Sequence, residues 1–162
     1  MTTRTCAVWV PDWPVVAVRR RDPSLQSRPV VVRERIGARD LVRAASADAR
    51  AEGVTRGMRR REAEARCPTA AVVDADPALE ARAFELVARA VEALTPRVVL
   101  DRPGRCAFPT RGPARYFGGD EPLAQRVHDA VREVLEADIR IGIADGEFAA
   151  GLAARRARAG VP

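Results

Sequence analysis

The chain alternates short, strongly apolar runs with longer stretches in which apolar residues recur every three or four positions. The short runs have the length of strands, and several are rich in valine, as in RPVVVRE at residues 28–34. Runs of this kind, bounded by Pro, Gly or Asp, are typical of β-strands. The pattern predicts strands at residues 5–10, 28–34, 41–46, 70–76 and 138–144, and two more within 97–110 around a Pro103-Gly104 turn.

The longer stretches predict helices, and residues 76–94 give the clearest one. Asp76 is a suitable N-cap and Pro77 fits the first helical position. The apolar residues assigned to one face are Leu79, Ala83, Leu86, Val87, Ala90 and Leu94. Further helices are predicted before Gly53, before Pro68 and at residues 121–137, and two more are predicted to be opened by Pro14 and by Asp145. Strands that alternate with long helices indicate a mixed class, α/β or α+β.

Composition adds a strong positive charge. The 162 residues carry a net charge of +6, and all 28 basic residues are arginine. Arginine binds phosphate oxygens in pairs, which favours a polyanionic partner. An Ala-, Arg- and Val-rich chain without lysine is equally what a GC-rich coding bias produces, so both interpretations stay open.

Cysteine usage and hydropathy point to a cytoplasmic protein. The three cysteines are far apart and odd in number, which predicts neither a disulfide framework nor a zinc site. No apolar run approaches the ~18 residues of a membrane span, and the first residues do not resemble a secretory signal. We therefore expect a soluble, cytoplasmic chain that contacts no membrane.

Several polar residues are better explained without a catalytic role. His128 has no second metal-binding side chain at ligand spacing, which predicts an ordinary surface or half-buried residue. No serine lies in a nucleophile elbow, so the sequence does not favour acyl transfer. The Gly-Gly pair of RYFGGDE, residues 115–121, lacks the Lys and Ser/Thr of a phosphate loop and is interpreted as a helix-initiating turn. Three arginine clusters, at 19–21, 59–61 and 155–158, are either solvated faces or parts of a phosphate-binding surface.

One segment carries a specific family pattern. Residues 44–68, AASADARAEGVTRGMRRREAEARCP, contain Ala-Arg, Gly-Val, Gly-Met, Ala and Cys-Pro at fixed distances. This run resembles the fingers region of the Y-family DNA polymerases, the damage-bypass or UmuC-like family. The strand at 28–32 and the RIGIADGEFAAGLAARRAR segment resemble the family's later motifs in the same order.

The resemblance implies an α+β fold, with a ferredoxin-like palm at residues 1–34 and 73–162 and a small helical fingers subdomain at 35–72. It covers nearly all of the chain but only the palm and fingers of such a polymerase. The thumb and little-finger domains that follow in the family would lie outside it. Because the chain stops directly after a predicted helix, we expect it to be part of a longer protein.

The resemblance also identifies the positions that would hold metal. Active members use two Mg²⁺ ions, about 3.5–4 Å apart, bound by three carboxylates. In register, these carboxylates fall on Pro11, Arg105 and Cys106, none of which is acidic. A unit charge about 4 Å from a divalent ion, at an effective dielectric near 20, is repelled by on the order of 8 kcal/mol. Arg105 therefore opposes metal binding, and we expect no metal and no cofactor.

Other nucleotide-handling positions have changed as well. The steric-gate aromatic corresponds to Val16, and the triphosphate-contacting Tyr to Ala47. Arg50 is retained, and Arg158 stands where the family has a phosphate-contacting Lys. These two arginines are candidates for phosphate or DNA binding, with a purely structural role as the alternative. Asp12 is one residue beyond Pro11, on the opposite face of an extended chain, and is expected to be a solvated turn residue.

The chain has no carboxylate at these three positions, and it contains the segments VWVPDWP and RPGRCAFPTRGPARYFGG. In these features it most resembles the ImuB type, a catalytically inactive branch of the family, in its actinobacterial form. This implies a non-catalytic adaptor in DNA repair and damage-induced translesion synthesis. The implied partners are DNA, the sliding clamp, a RecA-like accessory protein and an error-prone replicative-type polymerase, bound mostly through regions beyond this chain.

Two alternatives stay open at this point. The first is an active error-prone DNA polymerase fragment whose carboxylates are Asp12 and Asp101, in which case Mg²⁺ is expected. The second is a general DNA-binding module that acts through its arginines and loses affinity steeply with salt.

Overall fold

The computed structural model describes residues 2–158, which form mixed α/β structure. The strands in this part of the chain are β1 (Arg4–Trp9), β2 (Val30–Ile36), β3 (Arg39–Ala45), β4 (Ala71–Asp74), β5 (Val99–Arg102), β6 (Arg105–Pro109) and β7 (Arg140–Asp145). The helices are α1 (Trp13–Arg21), α2 (Ala47–Ala51), α3 (Arg60–Arg66), α4 (Pro77–Glu92), α5 (Arg111–Phe117), α6 (Asp120–Val134) and α7 (Glu147–Arg156), with a 3₁₀ helix at Pro23–Ser27. None of the described helices has both the length and the apolar character needed to span a bilayer.

The chain divides into two compact units. The first comprises the residues up to Pro11 and those from Ala81 onward, and the second is Asp12–Glu80. The predicted fingers segment, 35–72, lies inside the second unit, whose bounds are wider. Its role as fingers stays a prediction.

The first unit has a ferredoxin-like sheet, as predicted. Its strands lie in the order β5-β6-β1-β7, and every neighbouring pair is antiparallel. With α4 and α6 as the connections, the chain order is βαββαβ. The central strands β1 and β6 are buried on both faces, since the consecutive residues 5–8 and 106–108 are all buried. The two central strands thus supply the core, and their ends carry the candidate site.

The second unit is a three-stranded sheet in the order β3-β2-β4, with β2 antiparallel to β3 and parallel to β4. Both faces of β2 are covered. Val31 packs in one cluster with Val42, Ala45, Ala49, Val54, Ala63 and Cys67. Val30 and Val32 pack in another with Val15, Val18, Leu25 and Ala44. Burial on two faces explains why β2 begins as a continuous run of valines rather than an alternating pattern.

Helix α4 begins as predicted, but its buried face differs from the predicted one. Asp76 caps the helix, since its Oδ1 accepts a hydrogen bond of 2.9 Å from the backbone N–H of Leu79. The buried residues of its middle turns are Phe84, Val87, Ala88 and Val91, whereas Leu86 is exposed. These four residues are separated by 3, 1 and 3 positions, which places them on one face of the helix. The predicted face did not include Phe84.

Two local predictions were wrong and a third was incomplete. The Gly-Gly pair of RYFGGDE does precede a helix, since Gly119 takes the N-cap position of α6, but Arg115, Tyr116 and Phe117 are the end of α5, which Gly118 terminates in the left-handed region. Asp145 is the last residue of β7, and Gly146 takes the N-cap position of α7. His128 is buried, with only 7% of its surface exposed, because it lies on the inner face of α6 beside Val127 and Val131.

Candidate functional site

The candidate site lies at the end of β1 in the first unit. The last residue of the strand, Trp9, is followed by Val10, whose N–H donates to the Gly104 carbonyl at 2.9 Å. This bond ties the end of β1 to the turn between β5 and β6. Pro11 comes next, half-buried, at the start of a turn. Its side chain has no donor or acceptor and its nitrogen no hydrogen, so it contributes no polar group except its carbonyl.

The register places Trp9 between two arginines. Trp9 is opposite Arg105 on β6 and opposite Arg140 on β7. The Arg140 guanidinium lies over the Trp9 ring, 5.3 Å from its centroid, and pairs with Asp138 at 2.8 Å. The end of β1 is therefore flanked by cations on both neighbouring strands.

Arg105 is held in place from two sides. Its Nη1 lies 3.6 Å from a carboxylate oxygen of Asp101 on β5, and only 17% of its side chain is exposed. Its guanidinium lies directly against Gly151 on α7, where a Cβ atom would come within 2.4 Å of Nη2. The Nε atom is buried and has no hydrogen-bond partner among the described residues. Arg105 is thus an enclosed cation rather than a solvated one.

Cys106 points to the opposite face of the same strand. It is paired with Val8 and is fully buried, on the face of β6 shared with Phe108. Burial raises the pKa of the Cys106 thiol to about 12, with a smaller contribution from the charge of Glu92. The thiol is protonated at neutral pH, and a protonated buried thiol is a poor ligand for any ion.

These residues do not fit the magnesium pair that the family resemblance implies. Mg²⁺ requires oxygen ligands in near-octahedral geometry. Pro11 offers no side-chain ligand, Arg105 is a cation and Cys106 is a neutral thiol turned into the core. Within residues 2–158, no three His, Cys, Asp or Glu side chains come together as they would around a metal ion.

Asp12, in the second unit, is not the solvated residue that the sequence predicted. It adopts the left-handed conformation with φ of 53° and precedes α1. Its carboxylate forms an ion pair with Arg50, whose guanidinium also donates to the Ala45 carbonyl at 2.6 Å. Arg50, a candidate for phosphate binding, therefore already has an anionic partner in its own unit. Val16, the steric-gate position, is half-buried on α1.

Two further residues singled out by the sequence are Arg158 and Asp101. Arg158 follows α7 and is exposed. Asp101, the other carboxylate of the active-polymerase alternative, is part of the ion pair with Arg105. Both carboxylates of that alternative thus lie against arginines.

Sequence reasoning missed Trp9, Arg140 and Gly151. Only the antiparallel register of β1 with β6 and β7 brings the first two together with Arg105, although the strands themselves were predicted. A signal for Gly151 was present, since a glycine in the middle of a predicted helix often has a packing reason.

Comparisons with known proteins agree with this fold. The model of the impB/mucB/samB family matches residues 8–155. Proteins described as DNA polymerase IV, from two strains of Xanthomonas campestris pv. campestris, are each 33% identical to the chain over 144 residues. The match takes in 83% of this chain and 37% of each relative, so the chain spans little more than a third of their length.

Solved structures show the same architecture. A post-insertion binary complex of Dbh DNA polymerase matches 96% of the chain with a TM-score of 0.84 and 17% identity. DinB from Sulfolobus solfataricus matches the same share with a TM-score of 0.77 and 18% identity. The chain covers 46% of each of these two structures. At this identity, the likeness establishes the fold and nothing more specific.

Proposed function

This chain belongs to the impB/mucB/samB family of Y-family DNA polymerases, and from that premise we propose that it is a non-catalytic, polymerase-like adaptor of the ImuB type. It acts in DNA repair and damage-induced translesion synthesis without performing nucleotidyl transfer itself. The observation that carries the proposal is the guanidinium of Arg105, enclosed at the end of β1 where the family places a metal-binding carboxylate.

Charge and burial support the loss of metal chemistry. Arg105 is fixed between Asp101 and the backbone of Gly151, so it lacks the freedom of a surface side chain to turn away from an incoming ion. Arg140 adds a second cation on the other side of Trp9. Each of these arginines is itself paired with a carboxylate, Asp101 or Asp138, so neither carboxylate is left free to bind Mg²⁺.

The partners follow from the family resemblance. An adaptor of this type joins DNA, the sliding clamp, a RecA-like accessory protein and an error-prone replicative-type polymerase. The named partners bind mostly through segments outside these residues, so the proposal assigns no partner surface to this chain.

Metal binding tests the proposal directly. Mn²⁺, a paramagnetic substitute for Mg²⁺, is titrated into the chain and followed by electron paramagnetic resonance. We expect no saturable site. A saturable site lost in Asp101→Asn or Asp12→Asn but kept in the surface control Asp129→Asn contradicts the proposal, because it identifies a working carboxylate pair.

Primer extension gives an independent test, performed with the chain alone and with the chain fused to the remaining domains of an active DNA polymerase IV. We expect no Mg²⁺-dependent incorporation of nucleotides. Extension that disappears in Asp12→Asn or Asp101→Asn would establish the active polymerase instead. The ion pairs of these carboxylates with Arg50 and Arg105 support the opposite expectation.

A further inference from the structure

The second unit contains an open cavity of about 640 Å³ that is dominated by arginine. We call it the arginine cavity, and its charged lining residues are Arg39, Asp40, Arg59, Arg60, Arg61 and Glu64. It includes one of the three arginine clusters of the sequence. The proposed function names DNA as a partner but assigns it no surface on this chain, and the inference drawn from this cavity rests on that partner.

The backbone brings two distant segments together to form its walls. Arg39 and Asp40 begin β3, just after the β2–β3 turn at Gly37. The segment before α3 is fastened alongside β3, because the Val42 N–H donates to the Met58 carbonyl and the Gly57 N–H donates to the Val42 carbonyl, both at 2.8 Å. Arg59 forms an isolated antiparallel bridge with Leu41. The position of the arginines is thus set by paired backbone rather than by flexible loops.

The charges in the cavity are not balanced. Asp40 is engaged by Arg33, which lies outside the cavity lining, at 2.9 Å, and Glu64 is engaged by Arg60 at 2.8 Å. Arg39, Arg59 and Arg61 are exposed and form no ion pair with the described residues. Three guanidinium groups therefore face an open cavity with no carboxylate left to neutralise them.

We propose that the arginine cavity binds the phosphodiester backbone of a nucleic-acid strand, independently of its sequence. Guanidinium groups match phosphate oxygens in paired geometry, and the three unpaired ones line this single cavity. No aromatic side chain lines the cavity, so stacking on bases has no platform there. The cavity is open to solvent, which gives a strand access to the arginines.

The test uses the whole 162-residue chain and a fluorescein-labelled single-stranded oligonucleotide of mixed sequence, with binding followed by anisotropy between 50 and 200 mM salt. The variant Arg39→Ser/Arg59→Ser/Arg61→Ser removes the three unpaired charges. Each phosphate contact to a single strand contributes about −0.7 to the log-log salt slope, so the slope should shrink by about 2. When the salt concentration rises fourfold, the affinity of the variant for the oligonucleotide should therefore fall roughly 20-fold less than that of the unaltered chain.

A charge-matched control separates a site from general attraction. Arg82, Arg97 and Arg132 are exposed, lie in the first unit and form no ion pair within residues 2–158. Their triple replacement by Ser should leave the salt slope within about 0.5 of the unaltered value. Equal losses in the two triple variants, or no binding by the unaltered chain at 50 mM salt, overturn the proposal.

A single substitution should strengthen binding. Glu64→Gln releases Arg60 for a fourth phosphate contact and should steepen the slope by about 0.7. Its control is Glu85→Gln, which breaks a pair of the same i,i+4 spacing with Arg89 on α4 and should change nothing. Weaker binding by Glu64→Gln contradicts the proposal. Because these variants gain or keep affinity, the test does not depend on one destabilised protein.

Inorganic tripolyphosphate distinguishes a strand from a small polyphosphate. We expect it to compete only weakly with the oligonucleotide. A saturable tripolyphosphate site that needs Arg39, Arg59 and Arg61, combined with oligonucleotide binding that does not need them, overturns the proposal. Neither assay contains Mg²⁺ or nucleoside triphosphates, so failure of this inference leaves the metal-binding and primer-extension tests of the proposed function unaffected.

Discussion

Arg105 and Cys106 are neighbours in one strand, yet they occupy opposite environments. Successive side chains of a strand point to opposite faces. Arg105 therefore shares a face with Trp9 and meets α7, while Cys106 enters the core opposite Val8. The two residues act in different ways, since Arg105 places a cation beside α7 and Cys106 belongs to the apolar interior.

The protonated thiol of Cys106 predicts a pH dependence of stability. Its pKa is about 12 in the folded chain, above the ordinary value of 9 that the unfolded chain has. The native state favours the neutral thiol, so its contribution is fully present below pH 9 and is lost as the pH rises from 9 toward 12. The measurement is the free energy of unfolding by urea at pH 8, 9, 10 and 11.

Cys106→Ala isolates this effect. The cavity left by the lost sulfur lowers stability equally at every pH, whereas the loss between pH 9 and 11 should be smaller in the variant than in the unaltered chain. Parallel pH profiles of the two proteins would show that Cys106 ionises as easily in the folded state as in the unfolded one. Cys6, whose pKa is also raised by burial, should contribute a similar loss that remains in the variant.

At the scale of elements, the contact between β7 and α7 determines how close α7 lies to Arg105 in the candidate site. Gly142 on β7 pairs with Ala7 and lies so close to α7 that a Cβ atom would come within 2.1 Å of the Ala154 nitrogen. The packed residues beside it are small, namely Ala150 and Ala154. This close approach brings Gly151 against Arg105, so the packing of one helix on the sheet positions the cation.

Gly142→Ala should destabilise the chain because the added methyl meets backbone atoms, which cannot rotate away. Overpacking of this kind costs about 1–3 kcal/mol, and the short distances favour the upper end. The control is Gly112→Ala in α5, where no atom lies within 4 Å of the added Cβ and alanine is the better helix former by roughly 0.5–1 kcal/mol. Thermal and urea unfolding measure both.

If Gly142→Ala were as stable as the unaltered chain, this would contradict the close contact of Gly142 with α7. A loss of stability in Gly142→Ala together with an equal loss in Gly112→Ala would also contradict it, because both would then reflect glycine replacement in general.

At the scale of the whole molecule, the first unit is discontinuous in sequence and the second is not. Strand β1 lies between β6 and β7 in the sheet, but residues 12–80 separate it from both along the chain. The second unit has its own sheet with buried clusters on both faces. The second unit is therefore expected to fold from one continuous segment, whereas the first needs both of its segments.

Two fragments test this difference. Residues 12–80, expressed alone, should fold into the three-stranded unit, with dispersed amide resonances and cooperative unfolding. Residues 81–158 should not fold alone, because the sheet lacks its central strand and β6 and β7 lose their shared partner. Addition of a peptide covering residues 2–11 should restore structure to the second fragment. A folded 81–158 fragment without that peptide would contradict the role assigned to β1.

Much of this molecule was predictable from local patterns. The strands and the cap at Asp76 could be identified along the chain, and so could the non-acidic residues Pro11, Arg105 and Cys106 at the positions matched by resemblance, because hydrophobic periodicity and short motifs are local properties. The missed helix α5 is short and polar, with no buried residue in it, so it carries no hydrophobic pattern. The buried position of His128 was missed because one polar residue within an apolar helix face leaves the periodicity almost unchanged.

By itself, the sequence determined the order and type of nearly all elements, the ferredoxin-like fold by resemblance, and the absence of acidic side chains at three expected positions. Tertiary structure alone decided what stands there instead. The register of β1 with its neighbours surrounds Trp9 with two arginines, the approach of α7 encloses Arg105 and the pleat turns Cys106 inward. It also paired Asp12 with Arg50 and gathered Arg39 with Arg59 and Arg61. These contacts join residues far apart in the chain, and no local pattern specifies which of them meet.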